Sequence, residues 1–241
     1  MQAAYLSTAY LAPVQYYSLL TAFDEIYLET DENYPKQTYR NRCQIASANG
    51  IQTLTVPVEK PATIKTLTRD IRISNHGNWR HLHWNAFVSA YNLSPFFEYY
   101  ADDFRPYYEK KYTFLLDYNE ALRTMICSLL DIHPTVIPTT KYTPFVENDF
   151  RQSIPPHPLP VPSANFHHSL HRYADVPPTT VHHHLPGCAD VPSANVRHSL
   201  PDGQSSPRPY YQVFRAKHGF LPNLSIIDLL FNMGPESILY L

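Results

Sequence analysis

Apolar positions recur along this chain on two periods, and the points where the period changes mark its elements. Residues 3 to 6 form a short apolar run, Pro13 marks a turn, and Tyr16, Leu19, Leu20 and Phe23 fall at helical spacing within 15–23. Residues 25–29 read as a strand. Strand, turn, short helix and strand in close succession predict a βαβ unit. By analogy with such folds, ligands sit beyond the C-terminal ends of the strands, which places 31–42 on the functional edge.

Segments 42–47 and 52–58 flank Ala48, Asn49 and Gly50, and Asn-Gly between strand-like runs predicts a hairpin, because both residues tolerate positive φ. Pro57 weakens the end of the second run, since it has no N–H to donate. A further strand is expected over 64–73, with Ile71 and Ile73 on one face and Asp70 and Arg72 on the other, toward the pocket of Arg42. A helix follows over 78–91, its buried stripe made by Trp79, Leu82, Phe87, Ala90 and Tyr91. Ser94-Pro95 ends it, and the aromatic stretch that follows predicts short helices wrapped by tyrosines. Asp117 as N-cap and Glu120 as its capping-box partner open the next helix, which carries Leu122, Ile126, Leu129 and Leu130. Near the end, Ser225 caps the last helix, Asp228 takes the reciprocal position, Leu224 closes on Leu229, and Gly234-Pro235 stops it.

The pattern breaks at 151–208. This stretch holds 11 of the 23 prolines and 8 of the 13 histidines, a density of proline that excludes regular ladders. It also contains VPSANFHHSL and, thirty residues on, VPSANVRHSL. Two copies are too few to bury a shared solenoid face, so a disordered Pro- and His-rich insertion is expected. The remainder, 1–150 with 209–241, then forms a single α/β domain with a mixed β-sheet flanked by helices.

A net charge of -2 gives no reason to expect nucleic acid as a partner. Cys43, Cys127 and Cys188 are odd in number and lack paired metal-ligand spacing, which favours a reducing setting. The first twenty residues lack the early basic residues of a signal peptide, and no run reaches a membrane span. A cytoplasmic location is the expectation.

Candidate chemistry concentrates in YPKQTYRNRCQI, residues 34–45. Lys36, Arg40 and Arg42 stand there among Tyr39 and Asn41, a composition suited to reading carboxylate or phosphate. The alternative is a basic loop that pairs with Glu29, Asp31 and Glu32 just before it. No phosphate-cradling Gly-Lys loop, dinucleotide fingerprint or nucleophile elbow is present. His81 and His83 point to different helix faces, so with His76 they make a poor metal set. Cys43 beside Arg42 is either an activated thiol or, pointing inward, an inert one. His218, where a loop enters the capped helix, is the candidate proton carrier or else a surface histidine at a turn, and Asn223 either orients substrate or shapes the turn.

Together with YLAPVQYYSLL near the start and HGFLPNLSIIDLLFNMGPES at the end, this segment resembles the WbqC-like protein family of bacteria, over about residues 5–150 and 210–241. The resemblance implies a place in surface-polysaccharide (O-antigen) biosynthesis and a transferase activity, of glycine among the groups considered. The expected substrate is then a small anionic one, a sugar nucleotide or acyl donor. Lys36, Arg40 and Arg42 would hold its charge, Tyr39, Asn41 and Asn223 would orient it, and His218 would carry the proton. The competing reading is a non-enzymatic module that binds an anionic metabolite or protein partner, with Tyr99, Tyr100, Tyr107 and Tyr108 as an aromatic wall.

Overall fold

The computed structural model describes residues 2–60, 63, 65–153 and 208–241. The 151–208 insertion, with its repeat, His182–His184 and Cys188, lies outside the described residues except at its two ends. The described residues belong to one compact unit.

The chain opens with strand β1 (Ala3–Ser7), helix α1 (Val14–Ala22) and strand β2 (Glu25–Glu29), and β1 pairs with β2 in parallel. This is the expected βαβ unit. Parallel neighbours need a crossover, and α1 supplies it by burying Val14, Tyr16, Tyr17, Leu19 and Leu20. Strand β5 (Thr135–Pro138) joins the far side of β2, also parallel. On the free edge of β1, the Tyr5 N–H donates to Asn148 O and the Phe150 N–H to Tyr5 O, so 148–150 runs alongside as an edge segment.

Strands β3 (Arg42–Ser47) and β4 (Gly50–Thr55) form a separate antiparallel hairpin, so the parallel and antiparallel pairings sit in two sheets. The positive φ falls on Gly50, at 104°, and not on Asn49. Beyond β4, the strand expected over 64–73 does not form. Its alternation is present, with Ile71 and Ile73 buried and Asp70 and Arg72 exposed. Its backbone is claimed by the loop after β2: the Thr68 N–H donates to Glu32 O and the Arg69 N–H to Thr30 O, which winds Thr68–Asp70 into a 3-10 turn. Only single bridges remain, Asn33 to Leu67, Val58 to Ile73 and Arg72 to Phe114.

Helices α2 (Trp79–Tyr91), α3 (Phe97–Glu109) and α4 (Leu115–Leu129) cover the middle of the chain. Leu82 is 63% exposed, and His83 takes its place in the buried stripe. The aromatic stretch forms one helix, α3, with Pro106 in its last turn, where the proline removes one i→i−4 bond and little helix follows to be disrupted. Tyr100 and Tyr108 are buried and Tyr99 is exposed, so the four tyrosines do not make one wall. Asp117 sits inside the first turn of α4, whose N-cap is Phe114.

After short α5 (Arg215–His218), α6 (Ile226–Met233) is the most buried helix and packs on α1, α3 and β3. Phe231 lies at its centre, with the rings of Tyr91, Phe97 and Phe104 at 5.3, 5.2 and 5.2 Å. The capping box does not close. Ser225 Oγ donates to Leu11 O instead, and the Asp228 carboxylate accepts from the Tyr91 and Tyr210 hydroxyls and the Gln212 amide. Among the described residues no helix is long and apolar enough to cross a membrane.

Candidate functional site

The three sequence motifs meet around the loop that follows β1. The Tyr10 N–H donates to Tyr39 O, the Val14 N–H to Leu224 O and the Ser225 N–H to Gln44 O, so first, middle and last motifs are stitched backbone to backbone. Asn119 of α4, fully buried, adds a clamp by donating to both Thr8 Oγ1 and Arg40 O. The loop is thereby held over the C-terminal ends of β1 and β2.

A cavity of about 290 Å³ opens there, lined by Ser7 at the end of β1, Thr8 and Ala9 of the loop, Tyr39 and Arg40 of the middle motif, and Arg151. Its floor is a buried polar chain. Arg40 donates through Nε and Nη2 to both oxygens of Glu32, at 2.6 and 2.8 Å, and Nη2 also reaches Ser7 Oγ. Ser7 Oγ donates to Arg151 O, and the Arg151 guanidinium holds Glu29 at 2.8 Å and Asp149 through two nitrogens. Glu29 further accepts from the Asp31 N–H and from Thr139 Oγ1. Every member is paired, as a low-dielectric network must be to hold its geometry. One donor is spare: Arg40 Nη1 has no partner among the described residues and is not sealed from solvent.

The other candidate residues distribute around this centre. Tyr39 is buried and its hydroxyl donates to Gln44, while burial pushes its pKa up. Asn41 donates to Val56 O and so anchors the segment just after β4. Arg42, half-buried, starts β3 with its Nε sealed and unpaired. Lys36 is exposed on the loop. Asn223 takes φ 59° before α6, with Oδ1 sealed and unpaired.

His218 lies elsewhere. Its Nε2 donates to Ala48 O at 3.1 Å, beside a second bond from Lys217 at 2.6 Å, so both residues brace the β3–β4 turn. The six residues of β3, at about 3.3 Å each, put that turn about 20 Å from the Arg40 end of the strand. Cys43 is fully buried, and its burial pushes the thiol up, away from the reactive thiolate. His76 and His81 are exposed and His83 is buried, and no group of three or more metal-ligating side chains occurs among the described residues.

Ser7, Thr8, Asn119 and Arg151 escaped notice in the sequence. Ser7 and Thr8 carried a usable signal, since they follow directly on the first strand of a βαβ unit. Arg151 carried none: it stood at the edge of the proline-rich stretch and took on its character.

The chain is 29% identical, over 233 residues, to the uncharacterized protein Rv1507c of Mycobacterium tuberculosis, an alignment that covers 94% of this chain and 91% of that protein. No solved structure matches. The model of one family matches residues 8–153, a span that contains the loop after β1, Arg40, Asn119 and Arg151, and the chain belongs to that family, the WbqC-like protein family.

Proposed function

We propose that the cavity above β1 and β2 binds a small anionic substrate and that the protein is a transferase of surface-polysaccharide precursor synthesis, moving a small acyl or aminoacyl group onto an amino-sugar precursor. The observation that carries the binding part is Arg40: a buried guanidinium fixed on three sides, with Nη1 free at a cavity wall. A preorganised donor of that kind suits a carboxylate or phosphate oxygen. The volume lies at the low end for ligand pockets, roughly 300–1,000 Å³, which favours a small group over a whole sugar nucleotide. The transferase class is what the resemblance to the WbqC-like family implies, and membership of that family is its support.

A second reading, an anion-binding module without turnover, draws support from the lining itself. Tyr16 and Tyr39 are pushed up by burial, and the carboxylates beneath the cavity are held by arginines. No lining side chain is an evident carrier of protons near neutrality, so catalysis here would rely on positioning or on a group of the substrate.

The test is a thermal-shift panel of acyl thioesters, aminoacyl donors, sugar nucleotides and simple carboxylates on the native protein and on Ala9→Leu, which fills the cavity without touching the ion pairs. A ligand at about 100 times its dissociation constant adds about 2.7 kcal/mol of stability. A donor-class ligand that stabilises the native protein and not Ala9→Leu supports the transferase. Stabilisation by simple carboxylates alone favours the binding module, and no response from any compound removes the site.

A further inference from the structure

A second cavity, about 370 Å³, lies between the start of α2 and the end of α3 and contains neither Arg40 nor any other residue of the first. Its charged lining is Arg80, Arg105, Lys111 and Glu109. Three cations face one carboxylate. Asn78, the N-cap of α2, makes no side-chain capping bond, so the first-turn N–H groups add the positive end of the helix dipole on the same side.

Arg80 is the telling residue. Its Nη1 donates to Asn75 Oδ1 at 3.2 Å, while Nε and Nη2 are sealed from solvent and have no partner. Among the described residues it forms no ion pair, and neither does Lys111; Arg105 reaches only exposed Asp102, at 4.0 Å. Buried donors in native proteins are nearly always paired, because an orphan keeps its full desolvation penalty. The Arg80 guanidinium lies 4.5 Å from the Trp79 ring, which holds the charge by a cation–π contact and supplies no acceptor. An anion is what this cluster lacks.

We propose that this cavity binds the phosphate of a phosphorylated small molecule, with Arg80 as its main ligand and Arg105 and Lys111 as flanking cations. The excess of two positive charges matches a phosphate dianion or a diphosphate. The volume exceeds what a bare phosphate fills, and Trp79 and Trp84 give the remaining space flat walls for a sugar or nucleoside. Binding turns the guanidinium off Trp79, so that its sealed nitrogens meet ligand oxygens. The inference stands independently of the Arg40 cavity.

The chain has two tryptophans, and both line this cavity, so intrinsic fluorescence reports on it. The experiment titrates inorganic pyrophosphate, glucose 1-phosphate and uridine diphosphate at constant ionic strength, with sulfate as control and calorimetry for the absorbing nucleotide. The expected result is saturable binding of pyrophosphate and of at least one organic phosphate, tighter than sulfate. Arg105→Glu with Lys111→Glu, both on exposed positions, weakens it at least about tenfold. Arg80→Gln abolishes it, and Ala9→Leu leaves it unchanged. No saturable binding, equal binding in the Arg105/Lys111 variant, or binding of pyrophosphate with no organic phosphate would each overturn the proposal.

Discussion

Arg40 and Glu32 meet in a two-point ion pair, with side chains only 5% and 8% exposed. The pair reconciles two readings of the same residues. Arg40 is neutralised by the acidic run before it, and the same contact fixes a side chain that lines the cavity while leaving its Nη1 without a partner among the described residues. Removing one partner strands a buried charge, so Arg40→Ala should cost about 3–5 kcal/mol. Glu32→Ala should cost a similar amount, and the double variant much less than the sum. Urea denaturation of the four proteins checks this. Additive costs would mean that the two side chains are not coupled.

Gly234 ends α6 at φ 57°, and a Cβ there would meet the Phe96 ring at 2.5 Å. Gly77 has φ 75° and open space around it. Gly77→Ala should therefore cost about 1–2 kcal/mol from backbone strain alone, and Gly234→Ala about 1–3 kcal/mol more from overpacking. Thermal melts of the two variants separate the terms. Equal losses would show that Phe96 moves aside freely.

Where sequence and structure agree, local signals and tertiary demand coincide. The βαβ unit was legible because α1 buries the residues that its spacing aligned and because parallel strands require a crossover. The middle motif was legible because Arg40 and Tyr39 belong to the cavity itself. Failures came where distant partners claimed a group. Thr68 and Arg69 carry strand-like neighbours, yet their N–H groups bond to the loop after β2. Asp228 sits at a capping position, yet Tyr91, 137 residues away, and Tyr210 and Gln212, 18 and 16 residues before it, take its carboxylate. Arg151 needed knowledge that 148–150 runs beside β1. None of those partners is visible in a local window.

His218 tests how far the two ends of β3 are independent. His218→Gln keeps a donor for Ala48 O, and the residue is partly exposed, so a stability loss below about 0.5 kcal/mol is expected. Ligand stabilisation through the Arg40 cavity should be unchanged. Loss of binding in this variant would mean that the hairpin turn and the cavity communicate. Loss of turnover with binding intact would return His218 to the role of proton carrier.

Two buried titrating groups oppose each other in acid. Burial raises the Asp228 carboxyl to about 6, against the lowering effect of its tyrosine and glutamine donors. The folded state then binds a proton that the unfolded state releases, so this group adds stability as pH falls from about 6 to 4, up to about 3 kcal/mol. Burial also lowers His83, whose Nδ1 accepts from Tyr10, to about 4. Here the unfolded state binds the proton first, so stability present above pH 6.5 is lost toward pH 4, again by up to about 3 kcal/mol. Over the shared window the two slopes oppose each other in the native protein. Asp228→Asn should expose the histidine slope, making acidification destabilising, and His83→Gln should expose the aspartate slope, making it stabilising. Denaturation midpoints for the three proteins between pH 4 and 7 decide the matter. Parallel pH profiles would mean that neither group titrates across this range in the folded protein.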